Sequence, residues 1–316
     1  MPILTIRHLT RYRYRNPVAL GEHRMMFRPR ESHDQRLIDH DLTIFPVPAR
    51  HHSVQDVFGN SVGVVGFTGR TTELSFESRV RLEHTPLPAF ADPDGEIEVY
   101  SGAMPFDYSP DDLPDLLSSL ERPHNDPEGL VAAWARRFVK PVGKTRLQGL
   151  LSEMTQAIYA DFRYNTRLQG GAQTPLQTLA LGTGSCRDFA VLMIDAVRSL
   201  GLAARFVSGY IYSPHFNPEG RGRVGGGHTH AWVRVFLPAC GWVEFDPTNG
   251  IVGNRGLIRV AIARDIYQAV PVSGSWSGFP GSFLDMDVSV DIRVEDQPAV
   301  PAIPVNLPST RSMKSC

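Results

Sequence analysis

The sequence predicts an α+β protein in two parts: an N-terminal β-sheet domain, then a core in which helices precede an antiparallel sheet. Three observations carry this. Leu4, Ile6, His8, Thr10, Tyr12 and Tyr14 alternate with Thr5, Arg7, Leu9, Arg11 and Arg13, the period of two expected of a strand with one buried face. Phe189, Leu192, Met193, Ala196, Val197 and Leu200 recur at helical spacing, and Gly201 follows as a stop. The runs His230-Ala231-Trp232-Val233-Arg234-Val235-Phe236 and Gly241-Trp242-Val243-Glu244-Phe245 then read as strands that precede Asp246 and the break at Pro247.

The first domain is placed over residues 1–90. Alternation returns in Leu74-Ser75-Phe76-Glu77-Ser78-Arg79-Val80-Arg81-Leu82, and Phe58-Gly59-Asn60 is a turn signature. His51-His52 reads as a solvated turn, since no cysteine or acidic ligand is spaced with it. The arginines on the polar face of the first strand read as a solvated stripe. From Asp92 to Glu128 there are eleven acidic residues and six prolines against the single Arg122, which marks residues 91–128 as a connector. Residues 129–295 are read as the core. It opens with helices around Pro127 to Lys140 and Lys144 to Asp161, continues through the helix at Phe189 and a strand from Arg205 to Ser213, and ends in strands at His230, Gly241, Leu257 and Asp287. Residues 296–316, rich in proline and serine, read as a mobile tail.

Gly184-Ser185-Cys186-Arg187-Asp188 places a cysteine in the first turn of the predicted helix. There the unpaired N–H groups and the positive end of the helix dipole favour thiolate, the species that attacks carbonyls. A nucleophile of this kind needs a base within reach and a carboxylate that fixes the base's tautomer, and His230 and Asp246 come from consecutive strand-like runs. His228 lies two residues from His230, on the same face of a strand, so spacing alone leaves both open as the base. His228, His230, Asp246 and Cys186 are also ligand types for a metal, but the helix-mouth cysteine has a simpler use as nucleophile, so neither metal nor cofactor is expected. Tyr164 is a candidate second donor to an oxyanion, beside the plainer reading of a packed tyrosine. Arg187 and Asp188 are expected to orient the helix mouth.

Four blocks resemble those of the bacterial transglutaminase-like cysteine protease family: Gly184-Ser185-Cys186-Arg187-Asp188-Phe189-Ala190, Ala204-Arg205-Phe206-Val207-Ser208-Gly209-Tyr210, His230-Ala231-Trp232, and Gly241-Trp242-Val243-Glu244-Phe245-Asp246-Pro247-Thr248. The likeness extends to the N-terminal domain through His8-x-Thr10-x-Tyr12-x-Tyr14, Arg28-Pro29-Arg30 and Asp56-Val57-Phe58-Gly59-Asn60. The resemblance implies a papain-like, transglutaminase-like core with Cys186, His230 and Asp246 as the triad, and it selects His230 over His228. It implies a cysteine-dependent hydrolase of amide or peptide bonds acting through a thioester. The alternatives are transamidation to an amine acceptor and a non-catalytic peptide-binding module. Past the triad, where the family carries G-R-D-Y and a further Asp, this chain reads Ala263-Arg264-Asp265-Ile266 and continues without that acid, so its substrate groove is expected to differ.

Composition agrees with an ordinary globular protein, and the resemblance implies a peptide or protein as substrate. The chain has 316 residues, 42% of them hydrophobic, and a net charge of −1, which offers nothing for nucleic acid or a membrane surface. No apolar run approaches the roughly 20 residues of a membrane-spanning helix. Cys186, Cys240 and Cys316 show no CxxC spacing, and a cytoplasmic location is expected.

Overall fold

The computed structural model describes residues 2–86, 96–98, 106–166, 171–212, 226–238 and 240–295. The expected tail with Cys316, the end of the strand expected to reach Ser213, and most of the Gly-rich loop lie outside the described residues, as does much of the connector.

Alternation builds the first sheet. Strands β1 (Ile3–Met25), β2 (Gln35–Phe45), β3 (Arg50–Gln55), β4 (Ser61–Gly66) and β5 (Arg70–His84) form an antiparallel sheet in the order β2-β5-β1-β4-β3. Leu4, Ile6, His8 and Thr10 are buried while Thr5 and Arg7 face solvent. The outward arginines meet carboxylates on other strands of the sheet: Arg7 forks onto Glu77 at 2.9 and 3.0 Å, and Arg81 reaches across β1 to Glu295 at 2.7 Å. Such exposed pairs are screened by solvent and contribute little to stability. His51 and His52 lie within β3, a solvent-exposed edge strand, rather than in a turn. The turn itself comes at Asp56–Asn60, where Gly59 takes φ 74° and the Asp56 carboxylate accepts the Phe58 and Asn60 N–H groups.

The connector is more ordered than its composition suggests. It contributes β6 (Glu96–Glu98) and the helix α1 (Leu113–Leu120), whose Leu116 is buried. Tyr108 donates its hydroxyl hydrogen to the Phe236 carbonyl and accepts the Ala203 N–H. Next come α2 (Leu130–Arg136), β7 (Lys144–Arg146) paired with β6, and α3 (Leu147–Asp161), which buries Leu147, Leu150, Leu151, Met154 and Ile158 as its apolar stripe requires. Strand β8 (Arg163–Tyr164), helix α4 (Pro175–Leu181) and strand β9 (Thr183–Gly184) lead into α5 (Cys186–Ser199), with β8 parallel to β9. Then β10 (Ala204–Ile211), β11 (His230–Leu237), β12 (Gly241–Asp246), β13 (Ile251–Val252) and β14 (Leu257–Ala263) make an antiparallel sheet ordered β13-β12-β11-β10-β14. Helix α5 packs on β10 and β11 through Phe189, Leu192, Met193, Ala196 and Val197.

The chain then returns to the first sheet. Strands β15 (Val272–Ser277) and β16 (Phe283–Glu295) pair with β1, so residues 272–295 do not join the core sheet in which the strand at Asp287 was expected. Met286, Val288 and Val290 are more covered than Asp287, Ser289 and Asp291, and this alternation matches the pleat of β1 from Ile3 to Tyr14. A period of two fixes which residues share a face; it does not name the sheet that a strand will complete.

The two sheets are joined by apolar and polar contacts. Leu4, Ile6, Val80 and Leu82 of the first pack on Tyr210, Tyr212, Ile258 and Val260 of the second. Asn60, fully buried, brackets Ile262 of β14, donating to its carbonyl at 2.7 Å and accepting its N–H at 2.9 Å. Arg30 holds the same asparagine and the Phe58 carbonyl, and Arg259 spans the interface to Asp34 and Glu244. Replacing Asn60 by alanine leaves both Ile262 backbone groups buried and unpaired, a loss of about 3 kcal/mol. Urea unfolding of Asn60→Ala should show that drop with little change in the slope against urea.

Candidate active site

The mouth of α5 is fixed by a carboxylate. Ser185 precedes the helix in extended conformation, and its N–H and hydroxyl both donate to Asp188 Oδ2, at 2.7 and 2.8 Å. Asp188 Oδ1 accepts the Gln173 N–H at 2.7 Å, so one buried acid ties the preceding loop to the helix start. Gly184 must be small, because a Cβ there would lie 2.8 Å from Asp188 Cβ. Asp188 thus orients the helix mouth, as expected, and Cys186 occupies the first helical position with only 8% of its surface exposed.

His230 starts β11 and Asp246 ends β12, the strand beside it. Both side chains are fully buried, and His230 Nε2–H donates to Asp246 Oδ2 at 2.8 Å. The carboxylate is further held by Asn249 Nδ2–H on the same oxygen at 2.8 Å and by the Thr248 N–H on Oδ1 at 2.9 Å. Burial alone would raise the Asp246 pKa, but His230, Asn249 and Thr248 together hold it below the ordinary carboxylate value. For His230, burial opposes protonation, yet the charge and hydrogen bond of Asp246, with a contribution from the Cys186 thiol, raise its pKa above the usual 6.5. With Nε2 engaged by Asp246, the buried Nδ1 is the nitrogen left for that thiol. The three residues expected from the sequence therefore converge.

The other candidates separate clearly. His228 is exposed at the rim, its Nδ1–H donating to the Val288 carbonyl of β16 at 3.0 Å. Cys240 lies in the turn between β11 and β12 and lines a different cavity. Tyr164, brought beside Gly184 by the parallel pairing of β8 and β9, shares the cavity with Cys186; burial and then the charge of Cys186 raise its pKa. Among the described residues no group of three or more His, Cys, Asp or Glu is placed to hold a metal ion.

Cys186 and His230 open onto a cavity of about 570 Å³ between the two sheets, within the range of small-molecule and peptide sites. His8, Thr10 and Tyr12 of β1 and Met286 and Val288 of β16 line its far side. Ile266 and Ala269, within the stretch that departs from the family pattern, line it too.

The sequence matches the model of the bacterial transglutaminase-like N-terminal region over residues 4–83 and that of the transglutaminase-like superfamily over residues 132–247. An uncharacterised protein of Mycobacterium tuberculosis is 30% identical over 299 residues, covering 90% of this chain and 91% of its own length. The chain belongs to the transglutaminase-like superfamily. A "Putative Cysteine Protease" from Cytophaga hutchinsonii has the same fold, with a TM-score of 0.65 at 19% identity over 95% of this chain and 93% of that one. A protein-glutamine gamma-glutamyltransferase of Pseudomonas aeruginosa is 32% identical over 143 residues, which is 44% of this chain and 18% of that protein.

Two features of this transglutaminase-like site were not read from the sequence. Asn249 is one, although an amide three residues after a buried acid is well placed to return to it. Gly209 pairs across from His230, and a Cβ there would lie 2.0 Å from the Ile258 carbonyl oxygen and 2.8 Å from Trp232. The glycine of the Val-Ser-Gly-Tyr block thus keeps β10 close to β14 and to the Trp232 ring that stacks near His230.

Two pH measurements follow from the opposed shifts. In Asp246→Asn the effect of burial is left dominant, so an NMR titration should show the His230 pKa falling below 6.5 instead of lying above it. The His230–Asp246 coupling energy, from a double-mutant cycle with His230→Gln and Asp246→Asn, should be greatest between the unfolded-state values of 3.8 and 6.5. Below 3.8 it declines as Asp246 takes up a proton at its lowered pKa. Above 6.5 it declines until the raised His230 pKa is passed.

Proposed function

We propose that this protein is a cysteine-dependent amide or peptide hydrolase that works through a thioester. The observation that carries the reading is the buried His230–Asp246 pair, whose remaining ring nitrogen is available to Cys186 at the mouth of α5 on the cavity wall. His230 Nδ1 takes the thiol proton, and Sγ attacks the amide carbonyl. The backbone N–H of Cys186, which has no intrahelical acceptor at the first helical position, is the natural donor to the oxyanion, with the Tyr164 hydroxyl as a second candidate. His230 returns the proton to the leaving amine. Water then attacks the thioester with His230 as base, releasing the acid and restoring the thiol.

The likeness to a gamma-glutamyltransferase supports a second reading, in which an amine takes the place of water at the same thioester. Hydrolysis is favoured because, among the described residues lining the cavity, none is a carboxylate that would gather a cationic amine. In the connector, Asp126 is engaged elsewhere: it accepts the N–H groups of Val131 and Ala132 and pairs with Arg122.

Turnover of a peptide amide should vanish in Cys186→Ala and fall by roughly 10³-fold or more in His230→Ala, with only a modest loss in His228→Ala. Equal losses at the two histidines would remove His230 as the base. Partitioning decides between the readings: with a dansylated amine present at millimolar concentration, free acid should outweigh the amine conjugate. Conjugate dominating at low amine would establish the transferase.

A further inference from the structure

We propose that the N-terminal sheet selects the substrate: β1 and β16 present an apolar wall to Cys186 that receives an uncharged aliphatic side chain of the acyl-donor peptide beside the scissile amide. This rests on the amide-hydrolase reading above.

The wall follows from strand register. Tyr12 lies opposite Met286 and Thr10 opposite Val288, so two neighbouring strands present paired side chains on the face toward the cavity. The same rows continue as His8 with Val290 and Ile6 with Ile292, and there Tyr210, Tyr212, Ile258 and Val260 cover them. The cavity is therefore the stretch of this uncharged buried face that the core sheet does not reach. Ile266 and Val270, from the segment leaving β14, add apolar surface to it.

Charge is absent from this wall. The outward neighbours Arg13 and Asp285 pair with each other at 2.8 Å on the opposite face. His8 is sealed between the Tyr210 hydroxyl and Thr10 Oγ1, each 3.0 Å away, and burial pushes its pKa down to about 4, so it is neutral at pH 7. A lysine side chain laid here would lose hydration with no carboxylate among the described lining residues to compensate it. An aliphatic side chain would gain by leaving water. Apolar pockets of this kind discriminate by roughly 10- to 200-fold per methylene gained or lost.

The test uses capped pentapeptides that differ at one central residue: norleucine, glutamine, glutamate or lysine. Cleavage by the full-length protein gives kcat/KM by mass spectrometry, and binding of fluorescent versions to Cys186→Ala gives affinity without turnover. Norleucine should exceed lysine by about tenfold or more in both measurements. Met286→Ala and Val288→Ala should narrow that ratio, and Met286→Glu should reverse it. The two alanine variants decide the matter if the glutamate variant does not fold, as judged by its melting temperature. A ranking unchanged in folded variants, a charged or glutamine peptide ranked above norleucine, or binding without preference would overturn the wall. Selective binding with no cleavage of any peptide would uphold the wall and overturn the hydrolase reading instead.

Discussion

A carboxylate and an imidazole buried together must neutralise each other's desolvation or neither is tolerated, and the geometry around Asp246 answers to that constraint. Both oxygens of the acid are occupied, Oδ2 by His230 and Asn249 and Oδ1 by the Thr248 N–H. Removing one member of such a pair typically costs about 3–5 kcal/mol, because a charge is left buried without its partner. The pair needs β11 and β12 in one register, since His230 begins the first and Asp246 ends the second. It also needs β10 close alongside, which Gly209 permits.

The same pair borders the Cys186 thiol. Asp246 occupies Nε2 and leaves Nδ1 for the thiol, and its charge raises the basicity of the ring. Helix α5 supplies the other half, with the Ser185–Asp188 ties holding its first turn in place and leaving Cys186 at the cavity wall. Arg198, buried near the other end of α5, donates to the Ala204 and Arg264 carbonyls and so fixes the helix against the strands it packs on. Cys186 and His230 are thus carried by elements that are tied to one another.

The N-terminal sheet is part of this arrangement through its strand order. The first half of β1 runs between β5 and β16, so the last described strand of the chain lies beside the first. This closure brings Met286 and Val288 to the cavity and gives His228 a carbonyl partner at its rim. The His8, Thr10 and Tyr12 positions that carried the family resemblance gain a physical meaning here, since all three line the cavity and His8 also locks the sheet interface through Tyr210.

Local pattern was sufficient for much of this protein. The alternation of β1 and β5, the apolar stripes of α3 and α5, and the cysteine at a helix start are set by nearest-neighbour sterics and by which side chains share a face, and the sequence displays both. The convergence of Cys186, His230 and Asp246 was legible because a recognisable block surrounds each residue. Spacing along β11 could not separate His228 from His230; only the packing did, leaving one exposed against Val288 and the other sealed on Asp246. Nor could the alternation of Met286, Val288 and Val290 reveal that β16 would leave the core and complete the first sheet, because strand pairing is a long-range contact with no imprint at the level of period. Asn249, the helix in the connector and the wall facing Cys186 were settled in the same way, by which surfaces remained to be covered once the two sheets had met.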